Sequence, residues 1–329
     1  MTLVNPLPPT IPDAQPHFYV REIPVFGDAV LSPMDGYSDL PFRSFCRELG
    51  SAMSYTEFVN VNDILHNTRF AREKLAYKPG ERPLVFQIYG HEPQKMLEAA
   101  LRIQAREPDI IDINMGCPAK AISNRGAGVG LMRTPDVIAE IFRLLTTHLD
   151  VPVTGKIRLG WDESSKNYLE VAKIVEDNGG QLLAVHGRTR EQAYNGEADW
   201  DAIGEIVDAL SIPVLGNGDI EGPDDIARMK AHTGCVGVMI GRATIKNPWI
   251  FAGLRREDVP PEMVRETMLK HLVSNQAFYG EERGLVLFRK FAARYLIPYR
   301  ITREVRKRLL QSTQAEEFIM LLDDLLAEF

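Results

Sequence analysis

The stretch Asp112–Gly130, DINMGCPAKAISNRGAGVG, carries a single thiol, Cys117, immediately before Pro118. An apolar run (Ile110, Ile111, Ile113) leads into it, Gly116 breaks the run, and Gly126, Gly128 and Gly130 follow. A thiol at the exit of a buried strand, on a loop stiffened by proline and opened by glycines, suits a catalytic group on a rigid support. The plainer alternative is a small buried hydrophobe that happens to be sulfur. Lys156 closes the apolar run VPVTGK, so its ammonium is expected to face whatever lies at that strand's end. Two roles are open to it: a Schiff-base nucleophile, or a positive charge held against an electron-rich ring. Gln87, with one acceptor and two donors, can pair with a ring edge, and His186, beside Gly187 and Arg188, can bind phosphate. No second histidine or carboxylate stands at ligand spacing to His186, which argues against a metal role. Cys46, in the helical pattern DLPFRSFCREL, and Cys235 read as core.

These residues need a scaffold. From about Gly27 to Gly241, β-rich runs alternate with amphipathic stretches. The predicted strands are 29–34, 52–58, 84–89, 110–114, 151–156, 182–186, 213–217 and 236–241. Helices are predicted over 93–106, 135–148, 165–178, 200–210 and 222–231, several opened by proline or a capping side chain. Strand-then-helix repeated around the chain predicts an α/β fold, a parallel (β/α)8 TIM barrel. A doubly wound sheet would need GxGxxG after its first strand, where SPMDGYSD stands. Barrel chemistry sits at the carboxyl ends of the strands. Standing there are Ser32-Pro33-Met34, Glu57, Gln87, Asn114 with Cys117, Lys156 with Arg158, His186 with Arg188, Asn217-Gly218-Asp219 and Gly241-Arg242. The last two sets follow strands seven and eight, the usual phosphate position of a barrel, and Arg242 can add a bidentate fork.

Beyond about Pro260 strand character ends, and a smaller all-helical region is predicted over 262–278, 284–296, 301–311 and 315–329. The expected organisation is a proline-rich tail over 1–24, a catalytic barrel over 25–255 and a helical domain over 256–329. Between Arg283 and Arg308 nine Lys/Arg, among them Arg289, Lys290 and Arg294, face one acid, Glu304. Phe288, Phe291, Tyr295 and Tyr299 are interleaved. One reading is a solvated face with its aromatics turned inward; the other, favoured by a local charge excess of about +8, is a phosphate-backbone contact surface. The net charge of −7 over the whole chain argues against indiscriminate nucleic-acid binding. No apolar run approaches the ~20 residues that span a bilayer. The N-terminus MTLVNPLPPTIPDAQP has no signal-peptide core. Three widely spaced cysteines give neither a disulfide framework nor a CxxC metal pair, so a reducing cytoplasm is expected.

The set SPMDGYSDLPFR, QIYG, DINMGCPAK, VPVTGKIRLGW, VHGRTR, NGEADW, IPVLGNGDI and MIGRATIKNPWIF resembles the tRNA-dihydrouridine synthases, most closely their bacterial B-type branch, from about Val25 to Phe251. The helical tail resembles that family's RNA-binding domain. The resemblance implies FMN-dependent reduction of D-loop uridines to 5,6-dihydrouridine with NADPH. Hydride would pass from reduced flavin to C6 and a proton from Cys117 to C5. It implies that Pro33, Met34 and Asp35 lie against FMN, that Gln87 and Lys156 touch its ring, and that Asn217, Gly218, Asp219, Gly241 and Arg242 hold its phosphate, with His186 contributing. Asn114 would orient the uracil; Arg158, Arg188, Arg289, Lys290 and Arg294 are candidate RNA contacts. A monomer without metal is expected. Two departures, Phe291 where a histidine is common and Ala121 where a second lysine is, bear on RNA contacts rather than chemistry. Rival readings are an FMN barrel acting on a free pyrimidine, as dihydroorotate dehydrogenase does, a Schiff-base aldolase using Lys156, and a non-catalytic RNA-binding barrel.

Overall fold

The structure, a computed structural model, describes residues 15–299 and 301–327; the proline-rich run 1–14 lies outside the described residues. The strands in chain order are β1 (Phe18–Val20), β2 (Ile23–Val25), β3 (Ala29–Leu31), β4 (Ser54–Tyr55), β5 (Val59–Asn60), β6 (Leu84–Tyr89), β7 (Ile110–Met115), β8 (Val153–Ile157), β9 (Leu183–His186), β10 (Val214–Asn217) and β11 (Gly237–Ile240). β3, β11, β10, β9, β8, β7, β6 and β4 follow one another in the sheet. All their pairings are parallel. Ala52 N donates to Ala29 O at 2.8 Å across the remaining gap, which leaves the barrel nearly closed. The expected second strand over 52–58 is found as two short pieces, β4 and β5, both paired to β6.

Strands buried on both faces need apolar residues at nearly every position, and β7 (IIDINM) is buried throughout. The two-residue period decides which side chains point inward. Val85, Ile110, Ala184, Leu215 and Met239 fill the amino-terminal end of the barrel. Two residues further along the same strands come Gln87, Asp112, His186, Asn217 and Gly241. The interior therefore passes from apolar to polar along the barrel axis.

Within the tail expected over 1–24, Phe18–Val20 and Ile23–Val25 form strands. β1 and β2 pair antiparallel, turning at Arg21, whose φ is 55°. Phe18, Val20 and Val25 join Val30, Tyr55, Val85 and Ile110 in one apolar cluster, so the hairpin plugs the barrel's amino-terminal end. Pro24 and the charged turn Arg21-Glu22 dilute the alternation that would have marked it.

The helical region follows the expected boundaries closely: Pro261–Tyr279, Glu281–Tyr295, Arg303–Gln311 and Ala315–Leu326. Its core is not its own. Phe288, Phe291, Tyr295 and Phe318 pack with Leu31, Phe42, Cys46 and Trp249 from the barrel side. The interleaved aromatics Phe288, Phe291 and Tyr295 are fully buried, so they are core and not an RNA-stacking surface. Phe291 lies 4.9 Å from the Phe42 ring and 4.5 Å from that of His271, which makes its substitution a matter of packing, contrary to the expectation of an RNA contact. No helix among the described residues is long and apolar enough to cross a membrane.

Candidate active site at the carboxyl ends of the strands

The polar end of the barrel opens into a cavity of about 840 Å³. Pro33, Met34 and Asp35 line one side of it, and Asn114 and Cys117 another. Lys156, Arg158 and His186 stand at the ends of β8 and β9, and Asn217, Gly218, Asp219, Gly241 and Arg242 after β10 and β11. Arg294 reaches the rim from the helix Glu281–Tyr295. Residues separated by more than 200 positions thus share one cavity.

Cys117 is fixed from below. Asn114 Oδ1 accepts from Gly116 N (3.1 Å) and Cys117 N (2.9 Å), and Asn114 Nδ2 donates to Gln87 Oε1 at 2.9 Å. Gln87 Nε2 donates to Asp112 Oδ2 at 2.7 Å, and Thr154 Oγ1 to Asp112 Oδ1 at 2.6 Å. From above, Val129 N donates to Cys117 O at 3.2 Å. That contact requires glycine at 128: its φ is +56°, and a Cβ would stand 2.8 Å from Cys117 O. Burial pushes the Cys117 thiol up from its ordinary value, so it is protonated at neutral pH.

The opposite wall is cationic. Lys156 Nζ donates to Asn217 Oδ1 at 2.8 Å, and burial, then Arg158, pushes its pKa down to about 7. Arg158 is spent on the carbonyls of Gly116, Thr189 and Ala193 (3.0, 2.8 and 2.9 Å); burial lowers it to about 10, and it remains charged. Arg188 and Arg242 both reach Asp219, at 2.7 and 3.4 Å. Burial and these four cations hold His186 well below its ordinary pKa, so its imidazole is neutral. Asp112 lies beneath Lys156, and burial pushes it up to about 6. A cavity with more buried cations than acids favours an anionic ligand, and its volume suits a cofactor-sized one.

Four expected site residues are placed elsewhere. Gln87 is fully buried, its amide taken by Asp112 and Asn114, so it supports the Cys117 loop from beneath the cavity. Arg188 is buried, held by Asp219 and the carbonyls of Asn195 and Gly196. Arg289 bonds Ser312 O and Lys290 bonds Gly36 O, both within the protein. Sequence reasoning missed Asp112, although a charge inside a continuous apolar strand was a signal. It also missed Tyr194, whose ring lies 4.9 Å from the Arg242 guanidinium and 5.7 Å from that of Arg158; nothing periodic marks it.

Comparison with known proteins follows the same lines. The family profile described as dihydrouridine synthase (Dus) matches residues 30–329. Relatives described as tRNA-dihydrouridine synthase B include one from Pseudomonas aeruginosa, 41% identical over 87% of this chain and 90% of its own. Another, from Pseudomonas putida, is 42% identical over 87% of this chain and 88% of its own. Among solved structures, the Amycolatopsis orientalis BexX/CysO complex is similar in fold, with a TM-score of 0.50 at 14% identity over 81% of this chain and 96% of that one.

Proposed function

Because the chain belongs to the dihydrouridine synthase family, we propose that it is a cytoplasmic enzyme that reduces uridines of the tRNA D-loop to 5,6-dihydrouridine, with FMN as cofactor and NADPH as electron source. The observation that carries the reading is Cys117: a protonated thiol on a braced loop, facing a cavity whose far wall is cationic. The residues present fit FMN. Arg242 and the backbone at Gly218 and Gly241 would hold its phosphate, and Lys156 would face the electron-rich part of its ring. When bound and reduced, FMN supplies the hydride for C6 of the uracil.

The remaining work belongs to this chain. The Cys117 Sγ–H bond breaks and its proton goes to C5, completing addition of a hydride and a proton across the former C5=C6 double bond. The thiolate left behind regains a proton from solvent through the cavity mouth. A raised thiol pKa favours that recovery and keeps the acid loaded at neutral pH. Asn114, held by Gln87, keeps the Cys117 backbone still while the base is turned over. Neutral His186 can donate one N–H to a phosphate or ring oxygen without adding charge.

A uridine in folded tRNA must leave its stack to enter this cavity. Arg294 at the rim and the exposed Arg303, Lys307 and Arg308 on the next helix are suited to hold the RNA backbone while it does. The test has two parts. The purified protein should show a flavin absorption band or acquire one with added FMN. Incubated with NADPH, it should then add two hydrogens to D-loop uridines of tRNA from a strain lacking it, read by mass mapping. A protein that takes up no FMN, or tRNA of unchanged mass, sinks the reading.

A further inference from the structure

The loop Pro33–Asp39 after β3 supplies Pro33, Met34 and Asp35 to the cavity wall. Its internal bonding is local, with Tyr37 N and Ser38 N both donating to Met34 O at 3.0 and 2.9 Å. What fixes it to the rest of the protein comes from two directions. On one side Gly36 N donates to Glu57 Oε1 at 2.6 Å, within the barrel. On the other, Lys290 Nζ, from the helix Glu281–Tyr295, donates to Gly36 O. Gly36 is therefore gripped at both its backbone polar groups, the N–H of one peptide and the C=O of the next, one grip coming from 254 residues away.

Other contacts from the helical region converge on this loop. The Lys290 ammonium lies 5.1 Å from the Tyr37 ring and 5.0 Å from that of Phe291. Tyr37 meets Phe291 edge-on at 5.7 Å. Tyr279 Oη donates to Asp39 Oδ2 at 3.0 Å, and Asp39 in turn caps the helix Leu40–Glu48 through Phe42 N. Arg283 makes a two-pronged bond to Glu73 (2.7 and 2.8 Å), and the adjacent Lys74 pairs with Asp35. Lys290 differs from Arg303, Lys307 and Arg308 in that its charge is turned inward, onto a carbonyl and two rings.

Resting on the cofactor assignment above, we propose that Lys290 is a positioning residue for the cofactor loop: it anchors Gly36 so that Pro33, Met34 and Asp35 keep the shape that holds FMN. The helices that face the RNA thereby also set how firmly the cofactor is held. Coupling of this kind is reciprocal, so a helix position favoured by bound RNA changes FMN affinity by the factor with which FMN changes RNA affinity.

The test is FMN titration of the cofactor-free protein, followed by flavin fluorescence, for the wild type, Lys290→Met and Lys290→Arg. Removing a charge-assisted bond to a loop peptide is expected to weaken FMN binding on the order of tenfold. Lys290→Arg keeps a cationic donor and should restore most of the affinity. Circular dichroism and tRNA affinity at moderate salt are expected to hold in Lys290→Met. If that variant does not fold, Tyr279→Phe, which removes one hydrogen bond donated to the same loop and leaves Asp39 bonded to Phe42 N, is read instead, with several-fold weaker FMN binding expected. Unchanged FMN affinity in a folded variant, or lost tRNA affinity with FMN binding intact, overturns the proposal alone. A wild-type protein that binds no FMN overturns the cofactor assignment, and this proposal falls with it.

Discussion

Cys117 is placed by a relay of buried amides as well as by its own loop. Its position at a strand end before proline was legible in the sequence, because few residue types suit that setting for more than packing. The relay was not: Gln87, expected against a ring, has both ends of its amide engaged by Asp112 and Asn114. Cys117→Ala is expected to retain FMN and tRNA binding while single-turnover formation of dihydrouridine falls by roughly 10²–10⁴-fold. Full turnover by that variant would remove the acid role. Lys156 gives a second expectation. With its pKa lowered to about 7, it is mostly neutral at pH 8 in the cofactor-free protein. An electron-rich ring beside it favours the ammonium and raises that pKa, so FMN binding at pH 8 should take up a proton, approaching one per site. Below about pH 6 the lysine is already charged and the uptake should vanish. Calorimetric titration in buffers of different ionisation heat reads this directly, and Lys156→Met should abolish the uptake at pH 8.

Among the elements, the helix Pro135–His148 has the predicted boundaries, since a proline opens it and its apolar spacing is regular. In the expected strand 52–58, Thr56 N still donates to Val85 O, but Gln87 N then turns to the Thr56 hydroxyl instead of a backbone carbonyl, and Glu57 gives its carboxylate to Gly36 N, so the ladder is interrupted. Such a break depends on contacts far away in sequence and leaves no local mark. The helix pair Pro261–Tyr279 and Glu281–Tyr295 comes into close backbone contact at Gly284, where a Cβ would stand 2.6 Å from Gln276 Cα and N. Backbone cannot yield as a side-chain tip does, so Gly284→Ala must push the two helices apart. The expected cost is about 1–3 kcal/mol, seen as a lower thermal midpoint. The accompanying loss of tRNA affinity should exceed the change in FMN affinity measured on the folded fraction. An unchanged midpoint would show that the helices are not in contact there.

Over the whole molecule, charge is segregated more finely than the sequence shows. The basic run was legible as a run. Which of its members face solvent was not, because the helical phase turns Lys290 and Arg289 onto carbonyls and leaves Arg303, Lys307 and Arg308 exposed. Replacing Arg294, Arg303 and Lys307 by Glu is expected to spare reduction of the flavin by NADPH and to weaken tRNA binding strongly. If all three meet phosphates, the slope of log affinity against log salt should become shallower by about 2–3. Tight tRNA binding with an unaltered salt slope would defeat the RNA-surface assignment.

The cluster that joins Phe42, Cys46 and Trp249 to Phe288, Phe291 and Tyr295 also limits how such proteins can be recombined. Cutting at the nominal junction near residue 255 would strip oil from both halves at once. A chimera meant to exchange target preference between two relatives must transplant the Leu40–Glu48 helix along with the tail, or it inherits a mismatched seam. Any such exchange has to keep the two sides of that seam matched.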